Sequence, residues 1–150
     1  MRKCLVIEDD PSALRFVQYA LQQAGYLVLT AHNGIEGLKM AQEEEPDLLI
    51  LDVLLPGMDG FELCHRLKND ASTAKLPILM LSVKRRESDR EMGLKVGANE
   101  YLTKPIGPSE LVASVGRLLE RKGADPLERG HHNSEYLKFW PRDKRNGEGT

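Results

Sequence analysis

The stretch DLLILDVLLPGMDG, residues 47–60, decides the fold. It opens with an apolar run that has no alternating polar face, which is typical of a parallel strand buried on both sides. Asp52 ends that run, and the turn LPGMDG separates it from a helical pattern over 60–69 with Asp59 as its predicted N-cap. A buried strand followed at once by a helix indicates one βα unit of an α/β sheet.

The same unit recurs on both sides of this stretch. We predict strands over 3–7, 26–31, 47–52, 76–82 and 99–103, and helices over 11–24, 34–44, 60–69, 86–96 and from about residue 108 onward. Pro11 suits the first turn of its helix, and Gly25 suits the position just after the end. Strict alternation with short connections predicts a parallel sheet with helices on both faces.

Composition sets further bounds. A chain of 150 residues with 41% hydrophobic residues suits one ordinary globular domain. A net charge of −2 lacks the positive excess that is typical of nucleic-acid-binding proteins. No apolar run approaches the roughly 20 residues that a membrane span needs. The chain begins a strand almost at once, without room for a secretory signal, and Cys4 and Cys64 are expected to be reduced thiols. We therefore expect a cytoplasmic protein.

The composition changes after about residue 122. The segment 123–150 is rich in Gly, Pro, Asn and charge, and we expect a polar tail with no second domain beyond a domain at 1–122. Within the tail, Tyr136, Phe139 and Trp140 lie close together. Aromatic side chains are rare in disordered segments, so we predict that this part of the tail docks. His131 and His132 are expected to be solvated.

Charged residues follow the predicted strands. Glu8 and Asp9 come after the first strand, Asp52 ends the third, and Lys104 follows the fifth. Because the carboxyl ends of parallel strands form the ligand crevice of an open α/β sheet, we expect these side chains to meet. The negative charges of clustered carboxylates repel one another, so such a cluster is suited to bind Mg²⁺. A lysine beside it can pair with phosphate. The pattern indicates a carboxylate that accepts a phosphoryl group.

Residues 2–120 resemble the receiver domain of two-component response regulators. The resemblance lies in LVIEDDP (5–11), LLILDVLLPGMDGFEL (48–63), PILMLS (77–82) and GANEYLTKPI (97–106). It implies a flavodoxin-like, doubly wound sheet of five parallel strands in the order 2-1-3-4-5 with five helices.

The resemblance also implies a role for each site residue. Asp52 is the expected phosphoacceptor, and Asp9, Asp52 and the backbone carbonyl of Leu54 are the expected Mg²⁺ ligands. Glu8 is expected to act on the metal through water.

Three further positions match the family's phosphate-binding and switch residues. Ser82 is expected to grip the phosphoryl group, and Lys104 to pair with it. Tyr101 is expected to swing inward on activation, and Pro105 to follow a cis peptide bond.

Two positions depart from the family pattern. Val83 stands where a small residue is usual, and Leu54 is likewise apolar at the site. Both are expected to shelter the phosphate, with Lys84 as a modifier at the rim.

The expected partners are a histidine kinase or phosphotransfer protein and a downstream protein target. A homodimer through the fourth helix, fifth strand and fifth helix stays open. Neither direct nucleic-acid contact nor membrane contact is expected, and catalysis is expected to be limited to the protein's own aspartyl phosphate. The alternative function is a phosphorylation-independent interaction module controlled by its tail.

Some charged residues near these motifs have plainer interpretations. Asp10 is expected to be a first-turn acid that favours the helix dipole. His65, Arg66 and Lys68 are expected to form a solvated helix face, and Cys64 to fill space near the core.

Overall fold

The structure, a computed structural model, describes residues 1–121. Its strands are β1 (Lys3–Ile7), β2 (Leu27–Ala31), β3 (Leu48–Leu51), β4 (Ile78–Ser82) and β5 (Glu100–Thr103). Its helices are α1 (Pro11–Gln23), α2 (Gly34–Glu43), α3 (Gly60–Lys68), α4 (Glu87–Lys95) and α5 (Pro108–Glu120). Every predicted element is present. The predicted tail, with its aromatic segment and paired histidines, lies outside the described residues.

The five strands form one parallel sheet in the order β2-β1-β3-β4-β5, which confirms the predicted topology. The register pairs Ile7 with Leu51, and Leu51 with Met80. Glu8 and Asp52, which directly follow β1 and β3, therefore emerge side by side at the carboxyl edge of the sheet. Within residues 1–121, no helix has the length and apolar character needed to cross a bilayer.

The apolar run of β3 is explained by cover on both faces of the sheet. Leu49 and Leu51 belong to a core shared with α2 and α3, whereas Leu48 and Ile50 belong to a second core shared with α1 and α5. All four side chains are buried. A strand in this position has no solvent face, so its sequence cannot alternate.

Capping residues fix where the helices begin and end. Asp59 accepts a hydrogen bond from the Glu62 amide at 2.9 Å, as predicted. Asp10 precedes α1 and accepts from the Ala13 amide at 2.8 Å, so it is an N-cap and the prediction of a first-turn acid was wrong. Gly25 has a φ of 97°, a conformation that glycine adopts without strain, and it ends α1 as expected.

Lys68 contradicts the prediction of a solvated helix face. Its side chain is buried, at 6% exposure, and its ammonium donates to the Leu76 carbonyl at 2.6 Å. Ala74 and Asn99 supply further oxygens at 3.5 Å. The ammonium thus satisfies backbone carbonyls of the connection between α3 and β4.

Candidate functional site

Asp52 directly follows β3 and is buried, at 7% exposure. Its amide donates to the Ile7 carbonyl at 3.1 Å, and its Oδ1 accepts from the Leu54 amide at 3.2 Å. Gly60 lies so close behind that a Cβ there would be 2.5 Å from the Asp52 carbonyl oxygen. These contacts hold the carboxylate at the carboxyl edge of the sheet.

Two more carboxylates meet Asp52, as the strand ends predicted. Ligand oxygens of Glu8, Asp9 and Asp52 all lie within 4.8 Å of one another, and they form the one such acidic group in residues 1–121. Glu8 is buried and accepts from the Asp10 amide at 3.1 Å, whereas Asp9 is exposed. A set of oxygen donors with an exposed member suits a hard cation such as Mg²⁺, which keeps part of its water.

Lys104 brings a positive charge to this cluster from the turn after β5. Its Nζ donates to Glu8 Oε1 at 2.5 Å and to Asp52 Oδ2 at 3.4 Å. Burial would lower the pKa of Lys104, but its hydrogen bond to Glu8 and the nearby charge of Asp52 outweigh that effect and raise the pKa. Burial raises the pKa of Glu8, and Lys104 offsets part of that rise. The Lys104–Pro105 peptide bond is cis, as predicted.

Ser82 and Tyr101 are joined through the backbone of Lys84. The Lys84 amide donates to Ser82 Oγ at 3.2 Å, and the Tyr101 hydroxyl donates to the Lys84 carbonyl at 2.8 Å. Ser82 ends β4, and its backbone carbonyl accepts from the Lys104 amide at 2.8 Å. The Tyr101 ring is buried, at 1% exposure, and burial raises the pKa of its hydroxyl. In this structure Tyr101 therefore occupies an inward position.

Four of the seven predicted site residues meet through their side chains, namely Glu8, Asp9, Asp52 and Lys104. Ser82 and Tyr101 are connected to one another through Lys84, and Ser82 to Lys104 through the backbone. The sequence comparison agrees with this arrangement. Residues 4–116 match the family model described as the response regulator receiver domain. The chain belongs to this family. Its receiver domain is 45% identical over 120 residues to the alkaline phosphatase synthesis transcriptional regulatory protein PhoP of Bacillus subtilis, covering 80% of this chain and 49% of that protein.

Solved receiver structures share the fold. A response regulator from Chloroflexus aurantiacus superposes with a TM-score of 0.77 at 42% identity, over 80% of this chain and 98% of that one. The chemotaxis response regulator CheY4 of Vibrio cholerae gives a TM-score of 0.75 at 36% identity, over 79% of this chain and 98% of that one. The chain spans about half the length of the curated relatives it matches.

The receiver site also depends on groups that sequence reasoning missed. Gly60 was treated only as part of a turn, although its lack of a side chain lets α3 approach the Asp52 backbone. Arg85 donates to the Lys104 carbonyl at 3.3 Å and so connects the turns after β4 and β5. The predicted metal contact through the Leu54 carbonyl stays a prediction. For the Gly60 contact, the one signal in the sequence was a glycine directly after the predicted N-cap Asp59.

Proposed function

We propose that this receiver domain accepts a phosphoryl group on Asp52 from a histidine kinase or phosphotransfer protein, depends on Mg²⁺, and thereby switches an interaction face. The observation that carries the proposal is the charge arrangement around Asp52. Its carboxylate lies 3.4 Å from the Lys104 ammonium and within 4.8 Å of the oxygens of two further acids. Such a site can accept a dianionic phosphoryl group only if positive charge accompanies it.

The reaction is a transfer between two nucleophiles. A carboxylate oxygen of Asp52 attacks phosphorus, the bond from phosphorus to the donor breaks with its electron pair going to the donor, and an acyl phosphate forms. Asp9 and Asp52, with Glu8 through water, would hold Mg²⁺, which supplies neutralising charge to the phosphoryl oxygens. Lys104 would pair with one phosphoryl oxygen and the Ser82 hydroxyl would donate to another. Orientation and charge neutralisation, rather than acid–base chemistry, carry the step.

The switch would use the same contacts. Movement of the Ser82 hydroxyl toward the phosphoryl group would displace the backbone of Lys84, because the Lys84 amide donates to that hydroxyl. The Lys84 carbonyl in turn accepts from Tyr101. Phosphorylation would then favour the inward Tyr101. To move such an equilibrium from 1:99 to 99:1 requires a bias of about 5.5 kcal/mol. A paired, metal-bound phosphoryl group is the one new interaction available to supply it.

The replacement Asp52→Asn tests the assignment, because it preserves the shape of the side chain and removes the nucleophile. We expect no phosphate adduct by mass spectrometry after treatment with acetyl phosphate and Mg²⁺, whereas the unaltered protein gains one. Asp70→Asn is the matched control, since Asp70 is a half-buried aspartate in the connection between α3 and β4, outside the site, and it should label normally. Undiminished labelling of Asp52→Asn would refute the proposal, as would labelling of the unaltered protein in EDTA.

The output proposed for this domain is a change in protein contacts. The relatives in Bacillus subtilis and Pseudomonas aeruginosa are named transcriptional regulatory proteins, which favours an output in transcription. The complete set of acids, hydroxyl and lysine disfavours a phosphorylation-independent module, because such a module has no use for it. Partner binding that is equally tight with and without the phosphoryl group would instead support the independent module.

A further inference from the structure

Helix α4 is held to the sheet by few contacts. Gly93 is its one buried residue. The amino end is tied to the preceding turn by Asp89, which accepts from the Arg86 amide at 3.1 Å and lies 3.8 Å from the Lys84 ammonium. An element with so little buried apolar surface changes position at low free-energy cost. The position of α4 therefore depends strongly on what lies beneath Gly93.

Tyr101 lies beneath Gly93 and fills the space that a side chain there would need. A Cβ at residue 93 would be 2.7 Å from Tyr101 Cδ2 and 2.9 Å from Met80 Sδ, which is closer than real Cβ atoms approach. One turn earlier, the Arg90 guanidinium lies 5.8 Å from the centre of the same ring. The ring is thus covered by two α4 residues, and only a glycine allows the helix to close over it.

The helix itself gives no reason for a glycine at this position. Gly93 does not have the positive φ that favours glycine, and glycine is a poor helix former. Alanine would strengthen this short helix if Tyr101 were not in its way. Leaving room for the Tyr101 ring is consequently the structural role that remains for Gly93.

We propose that Gly93 is a positioning residue that keeps Tyr101 in its inward position, and that it couples the phosphorylation site to α4. The hydroxyl at the opposite end of the same ring donates to the Lys84 carbonyl, and the Lys84 amide donates to the Ser82 hydroxyl oxygen. The side chain of alanine would force the ring outward and break its bond to Lys84. This coupling rests on the proposed function, whereas the positioning of the ring can be tested without it.

Fluorine NMR of protein labelled with 3-fluorotyrosine tests the positioning. The chain has four tyrosines, so Tyr101→Phe identifies the Tyr101 resonance. Gly93→Ala should give this resonance the D₂O-induced solvent shift of an exposed tyrosine. The matched control is Gly116→Ala in α5, where a Cβ meets nothing within 4 Å, and its Tyr101 resonance should stay buried. A buried Tyr101 resonance in Gly93→Ala would overturn the proposal.

A thermal unfolding cycle keeps the proposal testable if Gly93→Ala folds poorly. We expect Gly93→Ala to lower the Tm in the unaltered protein and to raise it in a Tyr101→Ala background, where the ring is gone and Met80 has room to shift. Gly116→Ala should raise the Tm in both backgrounds. Equal losses from Gly93→Ala in the two backgrounds would show that the ring is not what Gly93 accommodates.

Binding of beryllofluoride with Mg²⁺ tests the coupling. If the inward ring and the bound analogue favour each other, Gly93→Ala should weaken analogue binding by about fivefold or more, while Gly116→Ala leaves it unchanged. Unchanged affinity in Gly93→Ala would overturn the coupling. If the unaltered protein binds no analogue, the proposed phosphoacceptor function fails, and the NMR and unfolding results still decide whether Gly93 positions Tyr101.

Discussion

Val83 and Leu54 flank the mouth of the site as exposed apolar side chains, at 54% and 45% exposure. Leu54 also lines a cavity of about 280 Å³ with Val53, Leu55, Asp59, Phe61 and Lys84. Apolar groups in these positions would restrict the approach of water and small donors to Asp52, and neither side chain is a proposed metal ligand. The structure thus gives a physical basis for the expectation of a sheltered phosphate, which stays a prediction.

Val83→Ala should therefore speed phosphorylation by acetyl phosphate. We expect a rate increase of about threefold, which corresponds to about 0.65 kcal/mol in activation free energy. Mg²⁺ affinity should stay unchanged, because no ligand is altered. The control is Leu27→Ala, since Leu27 is similarly exposed, at 46%, but begins β2 at the opposite edge of the sheet. Equal rates for Val83→Ala and the unaltered protein would show that access does not limit the reaction.

The two thiols give a second residue-scale prediction. Burial raises the pKa of both Cys4 and Cys64 to about 12, so at pH 8 only about one part in ten thousand is thiolate. We expect folded protein to react negligibly with Ellman's reagent over minutes at pH 8, and unfolded protein to release two equivalents. Fast reaction of both thiols in the folded protein would contradict this burial.

At the scale of elements, the helices and strands followed from the sequence because each carries its own signal. The apolar run of β3, the Asp59 cap and Gly25 each act within a few residues, and all three behave as predicted. Lys68 could not be predicted in this way. Its acceptors are carbonyls six and eight residues later and an Asn99 oxygen 31 residues away, and only the folded chain brings them together.

The same limit applied within the site. Strand ends correctly predicted that Glu8, Asp9 and Asp52 would meet, because parallel strands share one carboxyl edge. The packing of Gly93 on Tyr101 joins a helix and a strand through shape alone. No local pattern distinguishes that glycine from one in an ordinary weak helix.

Lys68→Met tests the element-scale role of the buried ammonium. Methionine has a similar length but leaves the Leu76 carbonyl without its charged donor. We expect the free energy of unfolding to fall by about 1.5–3 kcal/mol, measured by urea denaturation. Lys75→Met is the control, because Lys75 is an exposed lysine in the same connection, and it should change stability by less than about 0.5 kcal/mol. Equal stability of the two variants would mean that the buried contact contributes nothing.

At the scale of the whole molecule, the family and the fold are established, while the segment from 122 onward carries a separate prediction. Trp140 is the chain's one tryptophan, so its fluorescence reports on that segment alone. From the aromatic composition of 136–140 we expect acrylamide to quench Trp140 less in the native protein than in urea. The fourth helix, fifth strand and fifth helix form the surface on which we expect docking. Equal quenching in both conditions, with and without beryllofluoride, would rule docking out.

Helix α5 begins four residues after Lys104, at the edge of the sheet that carries the proposed phosphorylation site, and extends about 20 Å. Its far end lies at the opposite edge, where the Arg2 guanidinium donates to the Leu119 carbonyl at 3.1 Å. The residues that follow α5 are therefore attached on the side of the molecule away from the proposed phosphorylation site. A different segment could be joined to the end of α5 without altering the side chains around Asp52. A structural change at Asp52 must then be transmitted along the full length of the strands before it reaches that segment.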